Sequence, residues 1–498
     1  MFSGLLLALS FPRFGNPGVA WIALAPLIVA VTGQARAGAS LPRLFRLGAA
    51  AGVFYFCGTL YWLANVMAIH GHLHIAVAGL LAFGLALYLS VFVGLFAVVL
   101  GVATRRRGAA AVWLAPLFWV ATEWLRAWLG ADFPWVLLGS SQTGVLPIVQ
   151  FASLTGVYGI SALVVLVSSA AAALALGTDR RTVIRAAVTA ITLVTIATWG
   201  AWRLGRSPLT SSGTPVRVGL LQGNVPQEAK SDPAYRDAIT DRYVSLSRDA
   251  IGAGAELVIW PEASTPFYFD IESNLAAPVR RLAAESRVPF VIGTDEFERG
   301  RNGSPDRYYN TAVLVGATGQ TMANYRKIRL VPFGEYVPFK KLLFFVGPLI
   351  EAVSDFSAGT TPTIFDAGGR KFSVAICYEA VYAGMARAFV ESGSQLLTTI
   401  TNDAWFGRSS AAFQHFDQAA LRAVEQGRYL VRAANTGFSG AVDPYGRVLA
   451  KSALFETTSL TVDVRLLTDR TLYSRIGDAV AYAGLIVSAL VLIRRRRG

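Results

Sequence analysis

Long apolar runs in the first 202 residues constrain the fold of this chain more than any other feature of its sequence. A helix that crosses the hydrocarbon core of a bilayer needs about 20 mostly apolar residues. Strong candidates cover residues 47–68, 75–102, 109–129, 152–176 and 186–202, and shorter but clearly apolar runs cover 18–31 and 479–493. Residues 1–11 form a shorter apolar run, which we count as a short first span. The sequence therefore predicts a multi-pass helical membrane domain of about eight transmembrane helices.

Residues 214–469 carry most of the Asp and Glu and have the composition of a globular domain. Short β-rich runs cover 216–221, 256–260, 289–293, 311–315, 372–376, 396–401 and 440–442. Helical patterns cover 235–251, 276–286, 380–392 and 413–423. This alternation predicts a layered α/β or α+β domain, without deciding between the two. We place the domain limits at 1–204 for the membrane domain, 215–469 for the globular domain and 476–493 for a last transmembrane helix.

Basic residues indicate how the predicted spans are oriented. They occur in every second short connection and in the C-terminal tail, at 36, 43 and 46, at 105–107, at 180, 181 and 185, and at 494–497. Because Lys and Arg collect in cytoplasmic loops, both termini are predicted to be cytoplasmic and the globular domain extracytoplasmic. These clusters also account for much of the net charge of +14, so we predict a bilayer and not a nucleic acid as partner.

Chemically useful residues follow three apolar runs of the globular domain. Glu262 follows the run at 257–260, Lys327 precedes a segment that ends at Glu335, and Cys377 ends the run at 372–376. The only other cysteine, Cys57, lies in an apolar run of the membrane domain, which excludes a disulfide framework. Each position alone has an ordinary structural explanation, as a solvated loop residue or as core.

Taken together, the three residues suffice for acyl transfer through a thiol. A thiol attacks a carbonyl as the thiolate, so Cys377 needs a base, and a carboxylate such as Glu262 can serve. The ammonium of Lys327 and a backbone N–H after the nucleophile can stabilise the resulting oxyanion.

Other hydrolytic chemistries lack the residues they need. His415 is the only histidine in the globular half, within a helical pattern where packing or capping is the simpler role. Clustered zinc ligands and a Walker-type glycine loop are both missing from the sequence, so we predict neither a metal nor a cofactor.

Two further features suggest roles outside the thiol site. Glu123 and Arg126, three residues apart in an apolar run, are predicted to pair inside the helical bundle. An apolar stretch after Glu335 is hypothesised to enter the outer leaflet or to cover an acyl chain, with ordinary packing as the alternative. Its residues are Phe339, Leu342, Leu343, Phe344, Phe345 and Leu349.

The segments Trp260-Pro-Glu262, Lys327 to Glu335 and Ile376-Cys-Tyr-Glu379 resemble the Glu-Lys-Cys signature of the nitrilase superfamily. Four further motifs and the membrane frame make nearly the whole chain similar to the apolipoprotein N-acyltransferase family. These motifs are Gln222-Gly-Asn-Val-Pro-Gln227, Tyr309-Asn-Thr311, Thr401-Asn-Asp-Ala-Trp-Phe-Gly407 and Asn435-Thr-Gly437. Ser231 stands where members of the family often have Trp, which puts one lipid contact in doubt.

The resemblance implies an αββα sandwich for the globular domain and a two-step reaction at the outer face of a bacterial inner membrane. An acyl chain passes from a phospholipid, usually phosphatidylethanolamine, to the cysteine, and then to the S-diacylglyceryl cysteine that begins an apolipoprotein. It further implies that Cys377 is the nucleophile, Glu262 the general base and then acid, and Lys327 the oxyanion stabiliser. Glu335 would orient the Lys and Glu pair, while Tyr378 and Glu379 would shape the pocket.

Two alternatives remain open at this stage. One is a membrane-tethered amidase of the nitrilase superfamily that uses the same three residues with water as acceptor. The other is a transporter or scaffold that keeps only the shape of the domain, which the intact Glu-Lys-Cys set disfavours.

Overall fold

The structure is a computed structural model that describes residues 1–12, 14–130, 132–300, 305–332, 334–336 and 356–493. The chain divides into two compact units. The helical unit comprises Met1–Arg206, Ser409–Leu421 and Thr471–Gly498, and the sandwich unit comprises Ser207–Arg408 and Arg422–Arg470. The internal segment Ser409–Leu421 thus groups with the helical unit although it lies far along the chain. The domain limits drawn from the sequence remain predictions.

Apolar helices of very different length build the helical unit. They are α1 (Phe2–Leu9), α2 (Pro17–Ala23), α3 (Ala25–Arg36), α4 (Leu41–Leu60), α5 (Trp62–Ile69), α6 (Ile75–Arg107), α7 (Ala115–Trp128), α8 (Leu146–Val149), α9 (Ala152–Leu176) and α10 (Arg180–Arg206). The unit also includes the short helix Leu472–Ile476 and the apolar helix Ala479–Ile493. Each apolar run predicted to span the membrane therefore coincides with helix.

Helices α6 and α7 fold back on each other. The short 3-10 helix Gly108–Leu114 joins them, and Gly108 has a φ of 64°, a left-handed conformation that suits glycine. The rings of Phe96 in α6 and Trp119 in α7 lie 5.3 Å apart. One straight helix would hold residues 23 positions apart roughly 35 Å from each other. The 54 residues of Ile75–Trp128 therefore form two antiparallel segments, as the runs at 75–102 and 109–129 predict.

The number of membrane crossings stays a prediction. Among the described residues, four helical segments are long and apolar enough to cross a bilayer, or five if the bent pair α4 and α5 is one span. The hairpin of α6 and α7 falls within one of these segments. Helix α10 exposes Ile184, Val188, Ile191 and Val194. Such exposure suits a helix that faces lipid.

Buried polar groups of the helical unit hold the segment that follows α7. Glu123 accepts a hydrogen bond from Leu138 N at 2.6 Å, and Arg126 donates to Trp135 O at 2.7 Å. Each of these two charged side chains thus binds the backbone, and their pairing with each other stays a prediction. His415 is fully buried, and its ring packs 5.4 Å from that of Trp135, in agreement with a packing role.

Strands of the sandwich unit are β1 (Thr214–Gln222), β2 (Leu257–Ile259), β3 (Phe290–Glu298), β4 (Arg307–Val315), β5 (Thr321–Arg326), β6 (Ile364–Asp366), β7 (Lys371–Ile376), β8 (Leu397–Thr401), β9 (Leu430–Ala434), β10 (Gly440–Val442), β11 (Val448–Lys451) and β12 (Thr458–Leu466). In the described part of the chain they form two six-stranded sheets, ordered β12-β1-β2-β3-β4-β5 and β11-β10-β9-β8-β7-β6. Strands β1, β2 and β3 run parallel, as do β7, β8 and β9. The carboxyl ends of each parallel trio therefore meet at one edge of its sheet.

Helices pack on both sheets of the sandwich unit. The short helix α11 (Gln227–Ser231) precedes α12 (Arg236–Gly252) and α13 (Ser273–Ser286), and side chains of α12 and α13 share a buried apolar core with β2, β3 and β4. Helix α14 (Ala383–Glu391) and the end of α15 (Ser410–Gln426) lie against β7, β8 and β9 around one small cavity. The layers are therefore helix, sheet, sheet and helix, as in the predicted αββα sandwich.

Every strand and helix predicted for the globular domain overlaps an observed element, but β5, β6, β9, β11 and β12 were not predicted. Strand β9 shows why a strand can escape prediction. Arg432 interrupts its apolar run, and the side chain is fully buried because it pairs with Asp403 at 2.7 Å. The sequence does not reveal that partner.

The apolar stretch at 339–349 lies outside the described residues, so the hypothesis about it stays open.

Candidate active site

Strand ends bring the three predicted catalytic residues into one buried site. Glu262 lies three residues after β2, Lys327 follows β5 directly, and Cys377 follows β7 directly. Their exposed fractions are 5%, 1% and 8%. Cys377 has a φ of 52°, a strained conformation for a residue other than glycine. Backbone strain of this kind is concentrated at functional sites, where the surrounding structure holds it.

The Glu262 carboxylate is held by donors from both sheets. Asn310 Nδ2 donates to Oε1 at 2.7 Å, and the backbone N–H of Asn402 donates to Oε2 at 2.7 Å. Lys327 Nζ lies 3.4 Å from Oε1. Both carboxylate oxygens are therefore held in a fixed orientation. A general base needs such an orientation, because it must lie within hydrogen-bonding distance of the proton that it removes.

Lys327 is bound between two carboxylates. Its Nζ lies 2.8 Å from Glu335 Oε1, and the other oxygen of Glu335 accepts a hydrogen bond from Val331 N at 2.8 Å. Burial alone would lower the pKa of Lys327, but the charges of Glu335 and Glu262 outweigh it and hold that pKa above its ordinary value. This environment therefore favours the ammonium form, the charge state that can stabilise an oxyanion.

The environment of Cys377 favours the neutral thiol over the thiolate. Burial and the negative charge of Glu262 raise the pKa of the thiol, whereas Lys327 and a hydrogen bond with Thr401 lower it. The raised pKa means that the thiolate does not accumulate at rest. Attack on a carbonyl therefore requires a base that removes the thiol proton during the reaction, and Glu262 is close enough to interact with the thiol electrostatically.

Glu379 joins the loop that follows Cys377 to the segment that follows Lys327. Its Oε1 accepts hydrogen bonds from Tyr325 Oη at 2.8 Å and from Ile328 N at 2.7 Å, and its Oε2 accepts one from Ile376 N at 2.8 Å. Burial raises the pKa of Glu379 to about 7. This carboxyl therefore links the two segments by hydrogen bonds, and its predicted part in shaping the pocket stays a prediction.

The other motif residues bind Asn402 or pack next to Cys377. Asn435 Nδ2 donates to Val225 O at 2.8 Å and to Asn402 Oδ1 at 2.9 Å. Asn402 Nδ2 in turn donates to Gln227 Oε1 at 2.8 Å. Tyr378 is buried, with its ring perpendicular to that of Tyr382 at 5.3 Å. The two bonds to the Asn402 side chain hold the residue whose backbone N–H binds Glu262.

Asn310 and Asn402, which bind the Glu262 carboxylate together with Lys327, had no role assigned to them from the sequence. Both lie in motifs noted above, so their positions were visible, but their partners were not. Asn310 is on β4 and Asn402 follows β8, in different sheets. Only the assembled sandwich brings them to one carboxylate.

The sandwich unit matches the family model described as carbon-nitrogen hydrolase over residues 217–470. Among solved structures, a mutant of an amidase of the nitrilase superfamily from Nesterenkonia AN1 has a TM-score of 0.41 and 22% sequence identity, covering 54% of this chain and 97% of that one. The family match places the sandwich unit among the carbon-nitrogen hydrolases.

Residues 3–170 match the model described as apolipoprotein N-acyltransferase N-terminal domain. The apolipoprotein N-acyltransferase of Geobacter metallireducens is 38% identical, over 100% of this chain and 95% of that protein. The protein of the same name from Methylococcus capsulatus is 34% identical, over 99% and 95%. This chain therefore belongs to the apolipoprotein N-acyltransferase family, which confirms the predicted resemblance.

Proposed function

We propose that this chain is an N-acyltransferase that moves an acyl chain from a phospholipid, through a thioester on Cys377, to the amino group of a diacylglyceryl apolipoprotein. Family membership along the full length supports the enzyme class and the lipoprotein substrate. The single structural observation that supports the chemistry is the juxtaposition of Glu262, Lys327 and Cys377 in one buried site.

In the first step, Glu262 removes the thiol proton as the sulfur of Cys377 attacks the ester carbonyl of the phospholipid. The Lys327 ammonium stabilises the negative charge that develops on the carbonyl oxygen. Collapse of the tetrahedral intermediate breaks the ester bond, and Glu262 returns the proton to the departing oxygen. The products are an acyl thioester and a lysophospholipid.

In the second step, the neutral amino group of the acceptor attacks the thioester carbonyl. Glu262 takes a proton from the attacking nitrogen, and the C–S bond breaks to leave an amide and the Cys377 thiolate. The same carboxyl then protonates the thiolate, so the enzyme returns to its starting state.

The membrane location of both substrates supports a membrane-anchored enzyme. Each buried methylene contributes about 0.8 kcal/mol to the anchoring of a lipid chain, so neither substrate leaves the bilayer readily. The alternating Arg clusters support an extracytoplasmic sandwich unit with both termini in the cytoplasm. Phosphatidylethanolamine is the donor we propose.

Mass spectrometry of the purified protein tests the function. We expect labelled phospholipid to leave an acyl group on Cys377, and a diacylglyceryl peptide added afterwards to remove it as the N-acylated product. Absence of the adduct would contradict the proposal, and an adduct lost only to water would identify an amidase instead.

Variants of the two reacting groups test their roles. Cys377→Ser and Glu262→Gln are nearly isosteric, and we expect both to abolish product while the thermal unfolding midpoint stays close to that of the wild type. Glu285→Gln, an exposed position on α13, is the matched control and should keep full activity. Turnover by Glu262→Gln at the wild-type rate would exclude Glu262 as the base.

A further inference from the structure

The proposed mechanism leaves two charged side chains beside the catalytic site unused. Lys230 and Asp295 are partly exposed, whereas Glu262 and Lys327 are almost completely buried. Lys230 Nζ lies 3.4 Å from the backbone oxygen of Glu262. Asp295 interacts electrostatically with Lys230 and Glu262. Both side chains are therefore open to a substrate group that approaches the buried residues.

Strand geometry places the side chain of Asp295 on the catalytic face of β3. A Cβ atom at Gly293 would lie 2.7 Å from Glu262 Cα, so the face of β3 that carries Gly293 is pressed against the backbone of Glu262. Side chains alternate along a strand, and Asp295 is therefore on the same face, two residues further along. Its direct partner across the antiparallel pair is Asn310.

Asn310 has one buried acceptor that no described residue satisfies. The side chain is 5% exposed, and its Nδ2 donates to Glu262 Oε1 at 2.7 Å and to Glu335 Oε1 at 2.9 Å. These two bonds to carboxylates use both amide hydrogens and fix the orientation of the amide. Asn310 Oδ1 is left without a donor within the described residues. A buried acceptor of this kind normally has a partner, so the oxygen calls for an N–H or O–H group.

When Asp295 is ionised, the local charge favours a cation. With all groups ionised, the carboxylates of Glu262, Glu335 and Asp295 face the ammonium groups of Lys230 and Lys327, which leaves one negative charge in excess. A primary ammonium group carries one positive charge and up to three N–H donors. It can satisfy both Asn310 Oδ1 and the Asp295 carboxylate at once.

We propose that Asp295 and Asn310 form a subsite for the primary ammonium group of a lipid substrate, with Asn310 Oδ1 accepting one N–H and the Asp295 carboxylate supplying the opposite charge. The subsite rests on the proposed function, under which two substrates carry such a group. One is the acceptor, through its α-amino group, and the other is the phosphatidylethanolamine donor, through its head group. Binding the acceptor there holds its nitrogen beside Glu262, and the ammonium then loses one proton to solvent to give the neutral amine that attacks the thioester.

Electrostatics give the subsite a pH dependence. Burial and the charge of Glu262 raise the pKa of Asp295 to about 7, Glu335 adds to this effect, and Lys230 and Lys327 oppose it. Tyr268 also faces Asp295. An α-amino group has a pKa of about 8, so it remains charged below neutral pH while Asp295 becomes protonated. Affinity for the ammonium should therefore fall as the pH decreases from 7.5 to 6.

The test uses the full-length protein in phospholipid nanodiscs and compares Asp295→Asn with the wild type in two half-reactions. The first is thioester formation from phosphatidylethanolamine or from phosphatidylglycerol, which lacks an ammonium group. The second is transfer from the preformed thioester to a diacylglyceryl peptide. We expect Asp295→Asn to raise KM by about tenfold or more for the ammonium-bearing substrate that uses the subsite, with kcat changed by less than about threefold.

The half-reaction that is affected identifies the ligand. A KM effect on transfer alone assigns the subsite to the acceptor, and one on phosphatidylethanolamine but not on phosphatidylglycerol assigns it to the donor. The wild-type KM should rise about tenfold between pH 7.5 and 6, and that of Asp295→Asn should not. Glu298→Gln, at the exposed end of the same strand, is the control and should behave as wild type.

Two results would overturn the subsite while leaving the proposed function intact. The first is a set of KM values for Asp295→Asn that equal those of the wild type. The second is a KM that rises by the same factor for both phospholipid donors and for the acceptor. A wild-type protein that forms no thioester on Cys377 would instead overturn the proposed function, and the subsite with it.

Discussion

At the scale of single residues, Asn310 connects most of the site. Its amide donates to Glu262 and to Glu335, and Glu335 in turn binds Lys327. A neutral amide can serve two carboxylates at once because it offers two hydrogens and adds no charge. A charged residue in its place would change the electrostatics of both neighbours.

Asn310→Asp tests this role with almost no change in volume. The new carboxylate cannot donate, and like charges at hydrogen-bonding distance repel, so we expect Glu262 to be displaced and turnover to fall by about a hundredfold or more. The measurement is the rate of thioester formation on Cys377 with a labelled phospholipid.

Asn274→Asp serves as the matched substitution, since it lies exposed in the first turn of α13, where a negative charge is tolerated. That variant should keep the wild-type rate. An Asn310→Asp protein that is equally active would mean that the amide does not orient the base.

At the scale of elements, loops after parallel strands do most of the positioning. The loop after β8 carries Asp403, which pairs with Arg432 of β9 at 2.7 Å and accepts a hydrogen bond from Thr401 Oγ1 at 2.8 Å. Thr401 in turn has a hydrogen bond with Cys377. A fully buried ion pair therefore supports the residue that contacts Cys377.

Gly437 tests that support because a Cβ atom there would overlap the carboxylate of Asp403. We expect Gly437→Ala to lower the free energy of unfolding by about 2 kcal/mol, the range of overpacking in a close-packed interior, and to reduce turnover. Denaturant unfolding and single-turnover acylation measure the two effects.

Gly252→Ala is the comparison, since a Cβ atom at the end of α12 meets open space. Its unfolding free energy should stay within about 1 kcal/mol of the wild type. If Gly437→Ala is as stable and as active as Gly252→Ala, Asp403 can move without lowering the stability or the activity of the protein.

At the scale of the whole molecule, the chain returns to the helical unit in the middle of its second half. Within that unit, Gln414 donates to Pro12 O at 2.9 Å and to Thr59 O at 3.1 Å, and accepts a hydrogen bond from Trp135 Nε1 at 2.8 Å. One side chain thus joins three segments of the helical unit. The helical unit is therefore incomplete without a segment that lies more than 200 residues after its tenth helix.

The proposed orientation in the membrane belongs to this scale. Alkaline phosphatase is active only outside the cytoplasm, so we expect activity when it is fused after Arg206 and none when it is fused after Gly108. A fluorescent protein at the C-terminus should fold and fluoresce, because that end is proposed to be cytoplasmic. The reverse pattern of phosphatase activity would contradict the orientation.

The sequence by itself determined the apolar helices, most of the strand and helix pattern of the sandwich and the three residues proposed to react. Each of these follows from local composition or from a short motif, and Glu262, Lys327 and Cys377 could be named from both. The enzyme family followed from the same motifs, and the relatives along the full length confirm it.

Only the tertiary structure decided which groups surround those residues. Asn402 N binds Glu262 across 140 positions of the chain, and Glu379 reaches the segment after Lys327 across about 50. In the sequence Arg432 only interrupts an apolar run, whereas in the structure it pairs with the buried Asp403. Hydrogen bonds and buried charges depend on distances that the packing of the two sheets sets. Those distances cannot be derived from the order of the residues alone.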